Sequence, residues 1–279
     1  MSSEAALPKP KRFQNFSIPK SFIGPILISA ILVAAHISFG ILDTYTKLFT
    51  AIIAAFITEA VLHKMVTGEW RNLSSAYVSG ISAGILVRSP MLWPFALCAA
   101  ISIASKYVFR FRGRHIWNPT NFGIVVMLII ASDSMAVLSI QWGNNMWAML
   151  IIWIVGLFTI YKVNKFHICA TYVLGFIAFG YLRSLYTGDL FMAEIAPLTG
   201  PMYQLFVLFM ITDPKTTVST RAGQSFVAFL IALVEMIFRL GEAVYAPFYA
   251  LFIVGPIALI IEMIWRERKE LRDSETGRV

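Results

Sequence analysis

Charge is what this 279-residue sequence is short of. Asp, Glu, Lys and Arg make up 14% of it, against roughly 25% in soluble domains, while hydrophobic residues reach 58%. A water-soluble fold of this length has nowhere to bury that much apolar surface. Cysteine is scarce as well. Cys98 and Cys169 both sit in apolar stretches, which argues against a disulfide framework, and two thiols on separate helices do not supply the four ligands of an iron–sulfur cluster. The four histidines, His36, His63, His115 and His167, offer no pair at matching depth for haem. No polar stretch is long enough for a soluble domain. No basic stripe lies outside the apolar segments either, so the net charge of +8 does not read as nucleic-acid binding.

What is present is a series of apolar runs of about 20 residues, each the length needed to cross a hydrocarbon core of roughly 30 Å. They predict an all-α polytopic membrane protein of about ten transmembrane helices, near 22–41, 45–64, 75–90, 91–109, 120–136, 145–162, 166–185, 190–212, 222–241 and 244–266. Residues 1–21 read as a polar, basic N-terminal segment without a cleavable signal pattern. Residues 22–266 read as the transmembrane domain and 267–279 as a C-terminal tail. With the N-terminus inside, 19 of the 23 Lys and Arg residues fall on the inner side; the other four are Lys47, Arg88, Arg183 and Arg239. That asymmetry predicts an even number of spans with both termini cytoplasmic.

Two spans are interrupted, one by Arg88-Ser89-Pro90 and Pro94, the other by Pro197, Gly200 and Pro201. Proline and glycine within a span free backbone groups that protein, water or ligand must satisfy, and carrier-type proteins place binding sites at such breaks. Trp93 and Tyr203 follow the two breaks and are candidates to stack on a flat ligand. Ionisable groups in hydrocarbon are costly and mark function. Glu59, Asp133, Glu194 and Glu235 are therefore candidates, and Glu59, Glu194 and Glu235 are favoured for an ion or proton relay.

Two polar segments lie on the predicted inner side. The first, KYVFRFRGRHIWNPTNFG from Lys106, sets Arg112 and His115 beside Asn118, Pro119, Asn121, Phe122 and Gly123 at a helix start, where unpaired N–H groups and arginines attract anions. The second, ITDPKTTVSTRAGQSF from Ile211, offers Asp213, Lys215, Thr216, Arg221 and Gly223. Both contain an Asn-Pro or Asp-Pro turn followed by hydroxyl and glycine positions leading into an apolar helix, which suggests a remote internal repeat.

These two motifs, GRHIWNPTNFG and FMITDPKTT followed by basic-x-Gly, resemble those of the RnfD/NqrB family, the membrane subunits of the Rnf and Na+-translocating NADH:quinone oxidoreductase complexes. The short RnfD-like proteins found beside enediyne biosynthesis genes are the most similar in extent. The resemblance spans roughly residues 22 to 266. It implies a bacterial inner-membrane protein of two five-helix repeats, urea-transporter-like, carrying electrons through a flavin (FMN or riboflavin) with redox subunits and a quinone as partners, coupled to cation translocation. One departure matters. The family links FMN to a threonine in a Ser-Gly-Ala-Thr-like motif between its halves, and the corresponding stretch here, Met135 to Asn145, is MAVLSIQWGNN. Ser79-Gly80-Ile81-Ser82 lacks the Ala-Thr pair. The expectation is thus a flavin held without a covalent link. A channel or carrier for a small solute or for flavin itself, and a cofactor-free scaffold subunit, are the alternatives.

Overall fold

The computed structural model of the chain describes residues 20–39, 42, 44–70, 72–137 and 146–275. Nearly all of the expected N-terminal segment, residues 138–145 of the Met135 to Asn145 stretch, and the last four residues lie outside the described residues.

Helices follow one another along the described chain: α1 (Lys20–Phe39), α2 (Tyr45–Thr67), α3 (Ser74–Leu86), α4 (Trp93–Val108), α5 (Pro119–Ile130), α6 (Met146–Val163) and α7 (Phe166–Thr187). Beyond them come the short α8 (Phe191–Ile195) and α9 (Pro201–Leu205), then α10 (Arg221–Leu240) and α11 (Ala246–Glu275). Local chemistry sets the ends. Thr44 and Thr220 cap α2 and α10 through their hydroxyls, and Asn118 caps α5 with Pro119 at its first turn. Helices α2 and α7 both stop on a left-handed glycine, Gly68 (φ 75°) and Gly188 (φ 84°).

Among the described residues, α2, α7, α10 and α11 are long and apolar enough to cross a membrane; α4, α5, Ile152–Val163 and Pro201–Met210 are shorter apolar helices. Helix α2 shows the environment this implies. Phe49, Ile53, Ile57 and Val61 recur every four residues and are each half exposed or more, an apolar stripe that only lipid or another apolar surface covers. The architecture is an all-α membrane protein with a bilayer as its solvent.

The breaks take definite form. Helix α3 stops at Leu86, and Val87–Arg88 (β1) pairs antiparallel with Ala136–Val137 (β4) before α4 begins at Trp93. The 190–212 stretch divides into α8, a 3-10 turn over Ala196–Thr199, α9, and a π-helical turn over Phe206–Met210. Between α4 and α5, Arg110–Phe111 (β2) and Arg114–His115 (β3) form a hairpin whose turn residues Arg112 (φ 50°) and Gly113 (φ 79°) both lie in the left-handed region.

The expected 120–136 span ends early, at Ile130. Ser132, Asp133 and Ser134 form a turn there because short polar side chains compete for the backbone, so Asp133 is an exposed turn residue beyond the helix end rather than part of a helical span. At the other extreme, α11 continues past 266 to Glu275. Helix α2 packs on α3 and α4, and α4 on α5; α7 packs on α10, and α10 on α11.

Candidate functional site

The two polar motifs meet. Asn118 Oδ1 accepts from the Asn121 N–H (3.1 Å), while Asn118 Nδ2 donates to Asp213 Oδ2 (3.1 Å), across 95 residues of chain. Arg114 donates to the Lys215 carbonyl at 2.8 Å. Asp213 also takes the Lys215 N–H (3.0 Å), and its carbonyl accepts from the Thr217 hydroxyl and the Thr216 N–H. Arg112 reaches the Met263 carbonyl (3.0 Å) and ion-pairs with Glu267 on α11. Burial holds the His115 imidazole below the ordinary histidine range; Asp213 opposes that shift, while Lys215, Lys106 and Arg110 reinforce it.

Much of this apparatus is spent on architecture. Phe122 sits among Phe109, Trp117 and Phe252, ring centroids 5.0 to 5.6 Å from its own, and Trp117 donates to the Phe252 carbonyl at 2.9 Å. Gly123 is where α4 and α5 close on each other: a Cβ there would lie 2.6 Å from the Cys98 carbonyl oxygen. Gly223 and Arg221 belong to the cap of α10, where Thr220 Oγ1 accepts from the Gly223 N–H at 3.2 Å. Asn121, 1% exposed, donates to the Phe248 carbonyl at 3.2 Å, and its Oδ1 is buried without a protein donor. Trp93 is 42% exposed, its indole N–H meets the sulfur of Met91, and it is not in the lining of the cavity that Tyr203 borders.

Tyr203 belongs to a second region, at the break. A cavity of about 520 Å³ opens there, lined by Arg183, Glu194, Pro197, Pro201, Tyr203 and Arg239 among others. Behind it Glu235 is fully buried. Its Oε1 accepts from the Tyr203 hydroxyl (2.5 Å) and from Arg239 Nε (3.1 Å), and its Oε2 accepts from the Tyr172 hydroxyl. Arg239 also donates to the Tyr203 hydroxyl and lies over the Phe176 ring, 5.2 Å from its centroid. Across the cavity Arg183 ion-pairs with Glu194 and donates to its carbonyl (3.2 Å). Glu59 occupies a third network: it is fully buried, 3.4 Å from Lys106 Nζ, and accepts from the Tyr107 hydroxyl at 2.8 Å, while Lys106 also donates to Ser75 (3.1 Å).

Arg183, Arg239, Lys106, Tyr107 and Tyr172 were not among the expected site residues. The signal was present: the rule that flags ionisable groups in a span applies to bases as it does to acids, yet these bases enter the sequence reading only as topology charges. Protein-family models and curated proteins return no match to the chain.

Proposed function

We propose that this chain is an RnfD/NqrB-like membrane subunit that passes electrons through a non-covalently held flavin, with redox subunits and a quinone as partners and cation movement coupled to the transfer. The observation that carries this reading is the bond between Asn118 and Asp213: the two motifs behind the resemblance, far apart in sequence, behave as one unit. Two five-helix repeats in a bacterial inner membrane, both termini cytoplasmic, belong to the same reading. Support for the repeats comes from the packing of α2 on α4 and α4 on α5, which parallels that of α7 on α10 and α10 on α11. It also comes from the matched helix ends Thr67-Gly68-Glu69 and Thr187-Gly188-Asp189. In each, the threonine hydroxyl bonds the carbonyl four residues back and accepts the acid's N–H.

The cavity at the Pro197–Pro201 break has the size of a small-molecule site, roughly 300 to 1,000 Å³, and Tyr203 and the two arginines are suited to a planar ring. Asp189, Glu194 and Glu242 share the wall, and both arginines already hold carboxylates, so riboflavin fits this lining better than the phosphate of FMN. Bound there, the flavin supplies reversible one- and two-electron chemistry; Arg183, Arg239 and Tyr203 hold and orient it. Purified in detergent with its partners, the protein is expected to show a flavin spectrum and to release the chromophore on denaturation. No flavin in either fraction overturns the reading. A cavity at a broken helix also favours a second reading, a carrier for a small neutral solute; solute flux into liposomes in the absence of any redox partner would establish it.

A further inference from the structure

The cavity at the break has a counterpart. A second one, of about 490 Å³, is lined by His63, Val66, Glu69, Trp70, Tyr107 and Arg110, among others. The two stand by opposite ends of one helix. Ala243 and Val244, which line the first, lie three and two residues before α11 at Ala246, whereas Arg110 of the second opens the hairpin whose Arg112 bonds the Met263 carbonyl. From Ala246 to Met263 the helix rises roughly 25 Å at about 1.5 Å per residue, close to the thickness of a hydrocarbon core.

Each cavity backs onto the same device. A tyrosine in its lining, Tyr203 or Tyr107, donates its hydroxyl to a fully buried glutamate, Glu235 or Glu59. That glutamate in turn lies beside a base, Arg239 at 3.1 Å or Lys106 at 3.4 Å. The carboxylates are surrounded by donors. Glu235 receives Tyr172 from α7, Tyr203 from α9 and Arg239 from its own helix; Glu59 receives Lys106 and Tyr107 from α4, with His63 one turn on. The carboxylate oxygens are already taken by O–H and N–H donors, and the guanidinium or ammonium in the same pair repels a metal cation. No group of three metal-ligating side chains occurs among the described residues.

We propose that the two cavities are the mouths of two proton paths, one from each face of the membrane, which load Glu235 through Tyr203 and Glu59 through Tyr107, so that the ion this protein handles is the proton. Each step is a transfer of one proton and no electrons. The tyrosine O–H bond breaks as an O–H forms on the carboxylate, and a hydronium ion in the cavity restores the phenol. The carboxylate becomes neutral and its base is released from the pair. The inference rests on the proposed ten-helix arrangement and names the cation of that reading without depending on the flavin, which in the first cavity would share the space with the water that carries the proton.

The test uses dicyclohexylcarbodiimide, which adds the O–H of a protonated carboxyl in an apolar setting, on the full chain in right-side-out and inside-out vesicles, with adducts mapped by mass. Glu59 and Glu235 are expected to be labelled, increasingly as pH falls and by up to about tenfold per pH unit for a single proton. Each is expected to respond to the pH of a different face, with labelling unchanged by Na+ at constant ionic strength. Absence of labelling in a folded, monodisperse sample makes these fixed ion pairs and overturns the proposal. So does protection by Na+, which identifies a metal cation, and so does a response of both glutamates to one face. Flavin content is read on the same vesicles, so its absence defeats the electron-transfer reading alone.

Discussion

The Asn118–Asp213 region and the Tyr203–Glu235 region make opposite use of polar residues. The first is conspicuous in sequence, with Asn, Pro, Thr and Arg in dense runs, and nearly every group is spent on a cap, a loop-to-loop bond or a clamp onto α11. The second is inconspicuous, its tyrosines and arginines scattered over α7, α9 and α10, yet it surrounds a cavity and buries a carboxylate completely. Polar residues that cluster in sequence satisfy one another locally. Those that converge from separate helices have no reason to be where they are except each other or a ligand.

Breaking the convergent region is expected to cost most. Arg239→Ala leaves Glu235 buried beside two phenols without its ion-pair partner, and removal of one partner from a buried pair costs about 3–5 kcal/mol. Thermal unfolding in detergent should show the largest fall of any variant named here. A fall no larger than that of a surface variant would mean that water reaches Glu235, or that the carboxylate takes up a proton once Arg239 is gone, and that the buried charge weighs less than the contrast between the two regions implies.

Gly123→Ala comes next. The new Cβ meets the Cys98 carbonyl at the closest approach of α4 and α5, and overpacking of this kind costs about 1–3 kcal/mol. The expected result is a lowered unfolding temperature with ligand affinity unchanged, because Gly123 serves packing. A selective loss of flavin at unaltered stability would return it to a binding role.

These two cases show how far the sequence carried. Hydrophobic run lengths located the apolar helices and both breaks, because hydrophobic patterning and the backbone chemistry of Pro197, Gly200 and Pro201 act locally, but among the described residues four helices alone are long and apolar enough to cross a membrane. Arg183 and Arg239 figure in the sequence only as outer-side charges because their partners, Glu194 and Glu235, announce themselves only when helices pack; the four-residue spacing of Glu235 and Arg239 on one face of α10 is the available hint. Phe122 and Gly123 show the opposite case, since both also have packing contacts that the sequence does not display. A motif's residues look functional together, and only packing separates the capping Asn118 from the ring cluster and the close approach beside it.

Asn118→Ala tests the conspicuous region directly. It removes a helix cap worth about 1 kcal/mol together with the bond to Asp213, so the expected loss is about 2 kcal/mol, below that at Arg239. Asn118→Asp separates the two parts, since aspartate keeps the cap but sets a like charge against Asp213. If the aspartate variant unfolds no earlier than the alanine one, the cap is what matters and the loop-to-loop bond contributes little.

The gentlest effect belongs to His115, through pH. Burial lowers its proton affinity in the folded state, so the unfolded chain binds the proton more readily. The contribution of neutral His115 is complete above the ordinary histidine value of about 6.5. It is lost as pH falls from there toward the lowered folded value, since stability rises with pH wherever the unfolded state holds more protons. Unfolding temperatures in detergent between about pH 5 and 8 should therefore slope downward on the acid side, and His115→Gln should flatten that slope while leaving the value at pH 8 nearly unchanged. An unaltered slope would assign it to another group and leave His115, like most of its neighbours in the conspicuous region, a residue of packing.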